Sequence, residues 1–309
     1  AHRHGDGAVI ELDGNRDVTL EDVEVWSAPW FACVVRRNEG SVTLRRVQIR
    51  PRPGTTRVTS SWRDGVHVKG NRARLLFEGC VLEGMNDDAF NIATFLSRVT
   101  HVEGARVRVR QNYPLEYVPW RAGDTLAGIA TNSGMRVENV RVLAVEERPD
   151  ANPRHAPEVT LTLERAVQGL ARGDPVWALE AANPDTTLRR CTIRMSCRFQ
   201  SRVTLEQCDI TALSWFYGEH IEGPLPSGSV VRQCRLRLGR GNAEIAVSCN
   251  GRINGRPAPA AAADRPALAD LLFEGKEIDG RFEMRHACRV RLVLNLFAQE
   301  RGQLMMGQC

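Results

Sequence analysis

One pattern recurs along this chain: apolar, any, apolar, two polar residues, apolar, any, apolar. It reads Val18-x-Leu20 with Val23-x-Val25, Val42-x-Leu44 with Val47-x-Ile49, Leu75-x-Phe77 with Cys80-x-Leu82, and Val203-x-Leu205 with Cys208-x-Ile210. Weaker copies run from Leu188 to Ile193, Val231 to Leu236 and Leu271 to Ile278. Side chains alternate across a strand, so a two-residue gap shifts the parity, and the chain must bend there to keep both apolar pairs inside. Copies beginning at Val18 and Val42 lie 24 residues apart, room for three short strands and their turns. One such coil cannot bury its own apolar face, whereas stacked coils build a continuous core with strands about 4.8 Å apart. The expected fold is therefore all-β, a right-handed parallel β-helix. Helical patterns are scarce, which argues against a doubly wound sheet with helical crossovers. Scattered Gly and Asn residues are expected to supply the left-handed conformations of the tight corners.

The repeat disappears between about Thr100 and Ala181. That stretch alternates as "ARVRVR", "ENVRVLAVEE" and "EVTLTLERAV", broken by turns such as "RAGD" and "ARGDP", which reads as antiparallel hairpins forming a small inserted sheet or barrel. The expected organisation is a first part of the β-helix over 1–99, an inserted antiparallel β subdomain over 100–181, and the second part of the helix over 182–309. The segment 285–309 has too weak a pattern to place. Cys80, Cys191, Cys208 and Cys234 share one inward slot of the repeat, where buried thiols are expected, with disulfides between neighbouring coils as the alternative. No CxxC pair suggests zinc.

Composition narrows the function. The 309 residues carry a formal charge of +5, but only Lys69 and Lys276 are lysines and the 40 arginines are spread along the chain. With three tyrosines there is little stacking surface, so nucleic acid is not the expected partner. No apolar run approaches 18 residues, so no membrane span is expected. The start lacks the regions of a signal peptide, leaving a processed or truncated start as one reading.

Aligning "RDGVHV" with "NDDAFNI" matches Val66 to Phe90 and Val68 to Ile92 and sets Asp64 over Asp88, one 24-residue step apart, with Asp87 beside them. Three acids at one strand edge must raise at least one pKa, since carboxylates at coil spacing cannot all ionise freely. Hydrolysis of a glycosidic bond by inversion uses that pair of states, an acid for the leaving oxygen and a base for water. The assignment makes Asp87 the acid and has Asp64 and Asp88 hold the water. Inversion asks for carboxyls about 6.5–9.5 Å apart, and a closer pair points to a retaining route. Two other readings stay open: an Asp-Asp that caps a turn, and a calcium site of a lyase with Arg63, Lys69 or Arg72 as base.

Around the acids, His67 alternates outward and is placed to orient a carboxylate or a sugar hydroxyl, and Asn91 faces the same way. The loop "RPRPGTTRVTSSWR" lengthens its coil by nine residues and offers Trp62 as an apolar face for a sugar ring. The loop "SWFYGEHIEGP" supplies Trp215, Glu219 and Glu222, and "CRFQSR" supplies Arg198 and Arg202 as hydroxyl or acid clamps. No metal or other cofactor is expected.

These residues resemble glycoside hydrolase family 110, the β-helical α-1,3-galactosidases that include enzymes removing the blood-group B galactose. The likeness runs through "VTLRRVQIRPRPG", "RDGVHVKG", "FEGCVLEGMNDDAFNI", the β-rich insertion, "CRFQSR" and the "EGP" before "VVRQC". It implies that Asp64, Asp87 and Asp88 are the catalytic acids, acting by inversion without a metal on a terminal, unmodified galactose. Two departures stand out. The His-Gly common in that family after "DDAFNI" is replaced by "ATFLS", and its "ADATHF" reads "RDGVHV", which is closer to polygalacturonases, although their Gly-His-Gly and Arg-Ile-Lys motifs are missing. The alternatives are another carbohydrate-active β-helix, either a pectin hydrolase or a lyase, and a glycan-binding β-helix without catalysis. A carbohydrate partner makes a secreted or periplasmic location the expectation, while the oligomeric state has no signature in the sequence.

Overall fold

The computed structural model describes residues 7–111, 118–148, 156–217, 222–238, 245–251, 267–275, 277–297 and 304–306. Three parallel sheets run side by side along one axis, with nine, eight and eight strands, and the chain visits them in turn on each coil. The first sheet contains, in order, Phe31–Arg36, Val66–Lys69, Phe90–Ala93, Cys197–Phe199 and Ser214–Tyr217. The two strands of the repeated motif form the other two sheets, so Val42-x-Leu44 and Leu75-x-Phe77 pair in register, as do Val47-x-Ile49 and Cys80-x-Leu82. This is a parallel β-helix. The weak stretch after 285 continues it, with Arg291–Val293, Leu296–Phe297 and Leu304–Met306 each joining one sheet; its apolar pairs are short and its Leu294 and Leu296 are exposed, which is why the pattern is faint.

The corner inside the motif is built differently from the expectation. Its second gap residue takes a left-handed conformation on every coil, with φ between 50° and 63°, at Asp22, Arg46, Gly79, Arg190, Gln207, Gln233, Gly275 and Leu294. Two of these are glycine and none is asparagine, although a side chain there costs about 1–2 kcal/mol. An interstrand hydrogen bond offsets that cost. From Asp22 to Gly275 each of these residues donates its N–H to a carbonyl of the next coil at 2.8–3.1 Å, so the ladder continues through the bend.

Asparagine works at another corner, between the first and second sheets. Asn38, Asn71 and Asn183 are fully buried and stacked one per coil. Asn71 Oδ1 accepts from the Asn38 N–H and Nδ2, and Asn71 Nδ2 donates to Val35 O and Asn183 Oδ1, all at 2.9–3.0 Å. Turn backbone that would otherwise be buried without partners is thereby satisfied.

Inside, stacked phenylalanines fill the solenoid, with ring centroids 5.0 Å apart for Phe199 and Phe216, 5.6 Å for Phe216 and Phe273, and 4.8 Å for Phe273 and Phe282. Cys80, Cys191, Cys208 and Cys234 are buried free thiols that donate to backbone carbonyls, Cys191 to Phe77 O at 3.3 Å for example.

The coil carrying Asp87 and Asp88 is interrupted at the corner after Ala93. Six antiparallel strands, Ser97–Glu103, Arg106–Gln111, Thr125–Ala130, Val140–Arg148, Glu158–Leu163 and Pro175–Ala178, close into a small barrel through the pairing of the third with the last. The barrel has its own core, including Val107, Leu126, Val142, Leu161 and Val176. It is tied to the helix by Arg72, whose guanidinium meets both oxygens of the buried Asp124 at 2.6 and 2.7 Å.

Candidate active site

The register brings the three acids together. Val66 pairs with Phe90 and Val68 with Ile92, and the Gly65 N–H donates to Asp88 O at 2.9 Å, so Asp64 and Asp88 open neighbouring strands of the first sheet. One carboxylate oxygen from each of Asp64, Asp87 and Asp88 lies within 4.8 Å of the others. Asp64 and Asp88 are buried, and Asp87 is partly exposed at the rim.

Each carboxylate has its own partner. Asp64 Oδ2 is 2.7 Å from His67 Nδ1, and with the acid ionised the ring donates its Nδ1–H and is fixed in one tautomer. Asp87 Oδ2 faces Arg63 Nε at 3.2 Å. Asp88 Oδ1 accepts from Ser196 Oγ at 2.8 Å, and its Oδ2 lies 2.9 Å from Arg198 Nε. Burial pushes the Asp88 carboxyl up to about 7, against the pull of Arg198 and with the further push of Asp64. Carboxyls this close titrate as a unit, and burial favours the protonated form of Asp88 up to near neutrality. The oxygens are near enough to share a cation, but Arg63 and Arg198 already bring positive charge to two of the three acids, which fits a proton-transfer site better than an ion cage.

The 4.8 Å is measured between the nearest oxygens, whereas the roughly 6.5–9.5 Å of inverting pairs spans whole acid and base carboxyl groups across the substrate. A single water donating to two carboxylate oxygens at about 2.8 Å sets them about 4.5 Å apart, so a spacing within 4.8 Å suits one water bridged between two acids.

Next to the acids, four residues form an outward row on successive coils: His67, Asn91, Arg198 and Trp215 are paired in register. Trp215 is 37% exposed, and the Arg198 guanidinium lies 5.8 Å from its ring and 5.9 Å from that of Tyr217. Glu222 lies beside the middle of this row. Its carboxylate lies 3.4 Å from Asn91 Nδ2 and from Gln200 Nε2, 3.7 Å from an Arg198 nitrogen and 3.9 Å from Lys69 Nζ. Burial pushes Glu222 upward, yet Lys69 first, then His67, Asn91 and Arg198, hold it below the usual carboxylate range. Among the described residues the buried Asn91 Oδ1 has no hydrogen-bond partner, which leaves an acceptor for a hydroxyl.

The remaining candidates fall elsewhere. Trp62 is 61% exposed on the loop just before Asp64. Arg202 points away from the acids to a cavity beside the barrel. Glu219 lies outside the described residues. Lys69, Ser196 and Gln200 join the site without having been singled out as binding residues. Lys69 carried a signal, being one of two lysines among 42 cationic residues, and its ammonium is buried beside the Phe95 ring at 5.6 Å; burial lowers its pKa and Glu222 opposes that. Phe95 belongs to "ATFLS", so that departure from the family pattern packs against the site's lysine.

No protein-family model matches the chain. Three curated relatives are similar to it. Alpha-1,3-galactosidase A of Akkermansia muciniphila is 27% identical over 139 residues, 44% of this chain and 22% of the relative. Alpha-1,3-galactosidase A from two strains of Bacteroides fragilis is 22% identical over 264 residues, 77% of this chain and 42% of the relative. The chain thus spans less than half the length of these relatives. Among solved structures, the tailspike protein gp49 of Pseudomonas phage LKA1 aligns over 97% of this chain and 54% of that one, with a TM-score of 0.25 and 10% identity, too slight a likeness to carry weight.

Proposed function

We propose that the chain is the catalytic part of an exo-acting glycosidase that removes α-linked terminal galactose, with 1,3-linkage and inversion at the anomeric carbon. The carrying observation is the cluster of Asp64, Asp87 and Asp88 with their oxygens within 4.8 Å, beside a row of sugar-compatible side chains, in a chain similar to alpha-1,3-galactosidases. Asp87, the partly exposed member, presents the shared proton to the glycosidic oxygen. Asp64, oriented by His67, and Asp88, relieved of the proton, then hold the attacking water and accept its proton. Trp215 offers a ring face, Asn91 and Glu222 take hydroxyls, and Arg198 spans the row. A glycan substrate of this kind supports a secreted or periplasmic location.

The test is incubation with aryl α-galactosides and α-1,3-galactose-ended oligosaccharides while NMR follows the anomer first released. Release of β-galactose is expected, with loss of activity and an unchanged melting curve for Asp64→Asn and Asp87→Asn, and no response to chelators. First release of α-galactose overturns inversion. Unsaturated, ultraviolet-absorbing products would make the protein a lyase, and glycan binding without any sugar release would make it a lectin-like solenoid.

A further inference from the structure

A hollow lies where the barrel meets the helix. It has a volume of about 290 Å³, near the lower end of the ligand-pocket range of roughly 300–1,000 Å³ and large enough for one sugar ring. Trp177 of the last barrel strand, Leu179 of the segment leading back to the helix, and Pro224 and Leu225, which follow Glu222, supply apolar wall, while Arg136 and Arg202 supply charge. Glu222 itself faces Asn91 and Lys69, so the two-residue step from Glu222 to Pro224 takes the chain from the acid cluster to this cavity.

Among the described residues no carboxylate forms an ion pair with this charge. Most arginines of the helix surface meet carboxylates, as Arg46 does with Glu21 and Asp22. Among the described residues neither Arg136 nor Arg202 has a carboxylate within ion-pair distance. Arg136 spends only its Nε, donated to Ala267 O at 3.1 Å. Asp270, the acid whose field reaches Arg136, is engaged by two nitrogens of Arg289 at 2.6 and 2.8 Å. Burial pulls Arg136 below its ordinary pKa, but a guanidinium stays charged at neutral pH, so the cavity holds a partly desolvated cation beside an aromatic wall.

We infer that this seam cavity is a binding subsite for an acidic sugar residue, a uronate or a sulfated hexose, whose anionic group is held by Arg136 and Arg202 while its ring packs on Trp177. Planar guanidinium forks match carboxylate and sulfate oxygens, and a ring beside the cations gives the apolar half of the contact. Only the saccharide nature of the ligand rests on the proposed glycosidase activity; the anion preference rests on the cavity itself.

Calorimetric titration of the Asp64→Asn protein, which separates binding from turnover, with galacturonate, galactose 6-sulfate and galactose tests it. The acidic sugars are expected to bind at least about tenfold more tightly than galactose and more weakly as salt rises. Arg202→Gln, at an exposed position that spares the fold, should reduce that advantage about tenfold or more without changing the affinity for galactose, and Arg136→Gln should act in the same direction. The two acidic probes tell a carboxylate site from a sulfate site. Equal binding of charged and neutral sugars, or an acidic-sugar affinity indifferent to Arg202→Gln, overturns the subsite. Acidic-sugar binding sensitive to Arg202→Gln in a protein that releases no galactose would sustain the subsite and overturn the glycosidase alone.

Discussion

Replacing Asp88 by asparagine should make the protein more stable in mild alkali while disabling the cluster. Burial raises the folded-state pKa of Asp88 from the ordinary 3.8 to about 7. The folded protein therefore binds a proton that the unfolded chain has released between these two values, and stability falls as pH rises through that window. Below pH 3.8 both states are protonated and there is no penalty; above about 7 the folded carboxylate is ionised and the penalty is complete. The displacement corresponds to at most about 4 kcal/mol. Asparagine is neutral throughout, keeps an oxygen for the Ser196 hydroxyl, and escapes the loss. At about 2 °C per kcal/mol for a chain of this size, the Asp88→Asn melting temperature should exceed that of the parent by up to about 8 °C at pH 8, and the gap should close toward pH 4. Parallel thermal melts across pH 4 to 8 measure it, since every other titrating group is common to both proteins. An Asp88→Asn protein that is less stable than the parent at pH 8, or a gap that ignores pH, would falsify the placement of the proton on Asp88.

Three further outcomes are expected. The Ser196 hydroxyl holds the Asp88 pKa down, so Ser196→Ala should move the alkaline limb of the activity profile to higher pH, as read from initial rates on an aryl α-galactoside. Asn71→Ala strands the Asn38 N–H and the Val35 carbonyl in a fully buried corner; at about 1–3 kcal/mol for each orphaned group, a loss of about 2–6 kcal/mol should appear in denaturant unfolding. Leu294 has φ 50° and is 85% exposed, so Leu294→Gly relieves left-handed strain without losing packing and should stabilise the last coil by about 1 kcal/mol, measured by hydrogen exchange at the neighbouring ladder amides.

The solenoid was readable because its core is written in a local code: Val42, Leu44, Val47 and Ile49 announce two strands and a bend within eight residues, and every copy repeats the parity shift. The acid cluster was readable for the same reason, since register carries Asp64 to Asp88 once Val66 is matched with Phe90. Parts built from partners distant in sequence were hidden. Burial holds the proton on Asp88 against the opposing pull of Arg198 and Ser196, which lie more than 100 residues away along the chain, and no spacing rule links them. Glu222 lies beside Asn91, 131 residues earlier in the chain, and beside Lys69, and no local pattern links them. Left-handed corners escaped because arginine and glutamine occupy them, held by hydrogen bonds to the next coil and not by their own conformational preference. Arg202 looked like a companion of Arg198 in "CRFQSR", but a bend after Phe199 sends it round the corner to the barrel seam.

The feet of the barrel stand side by side, Ser97 opposite Val176 and Arg98 opposite Pro175, so roughly eighty residues enter and leave the solenoid through a gap one strand wide. A module grafted in this way leaves the stacking of the coils undisturbed. Natural or engineered exchange of it would then leave the register that aligns Asp64 with Asp88 in place, much as a tool head is changed on a fixed handle.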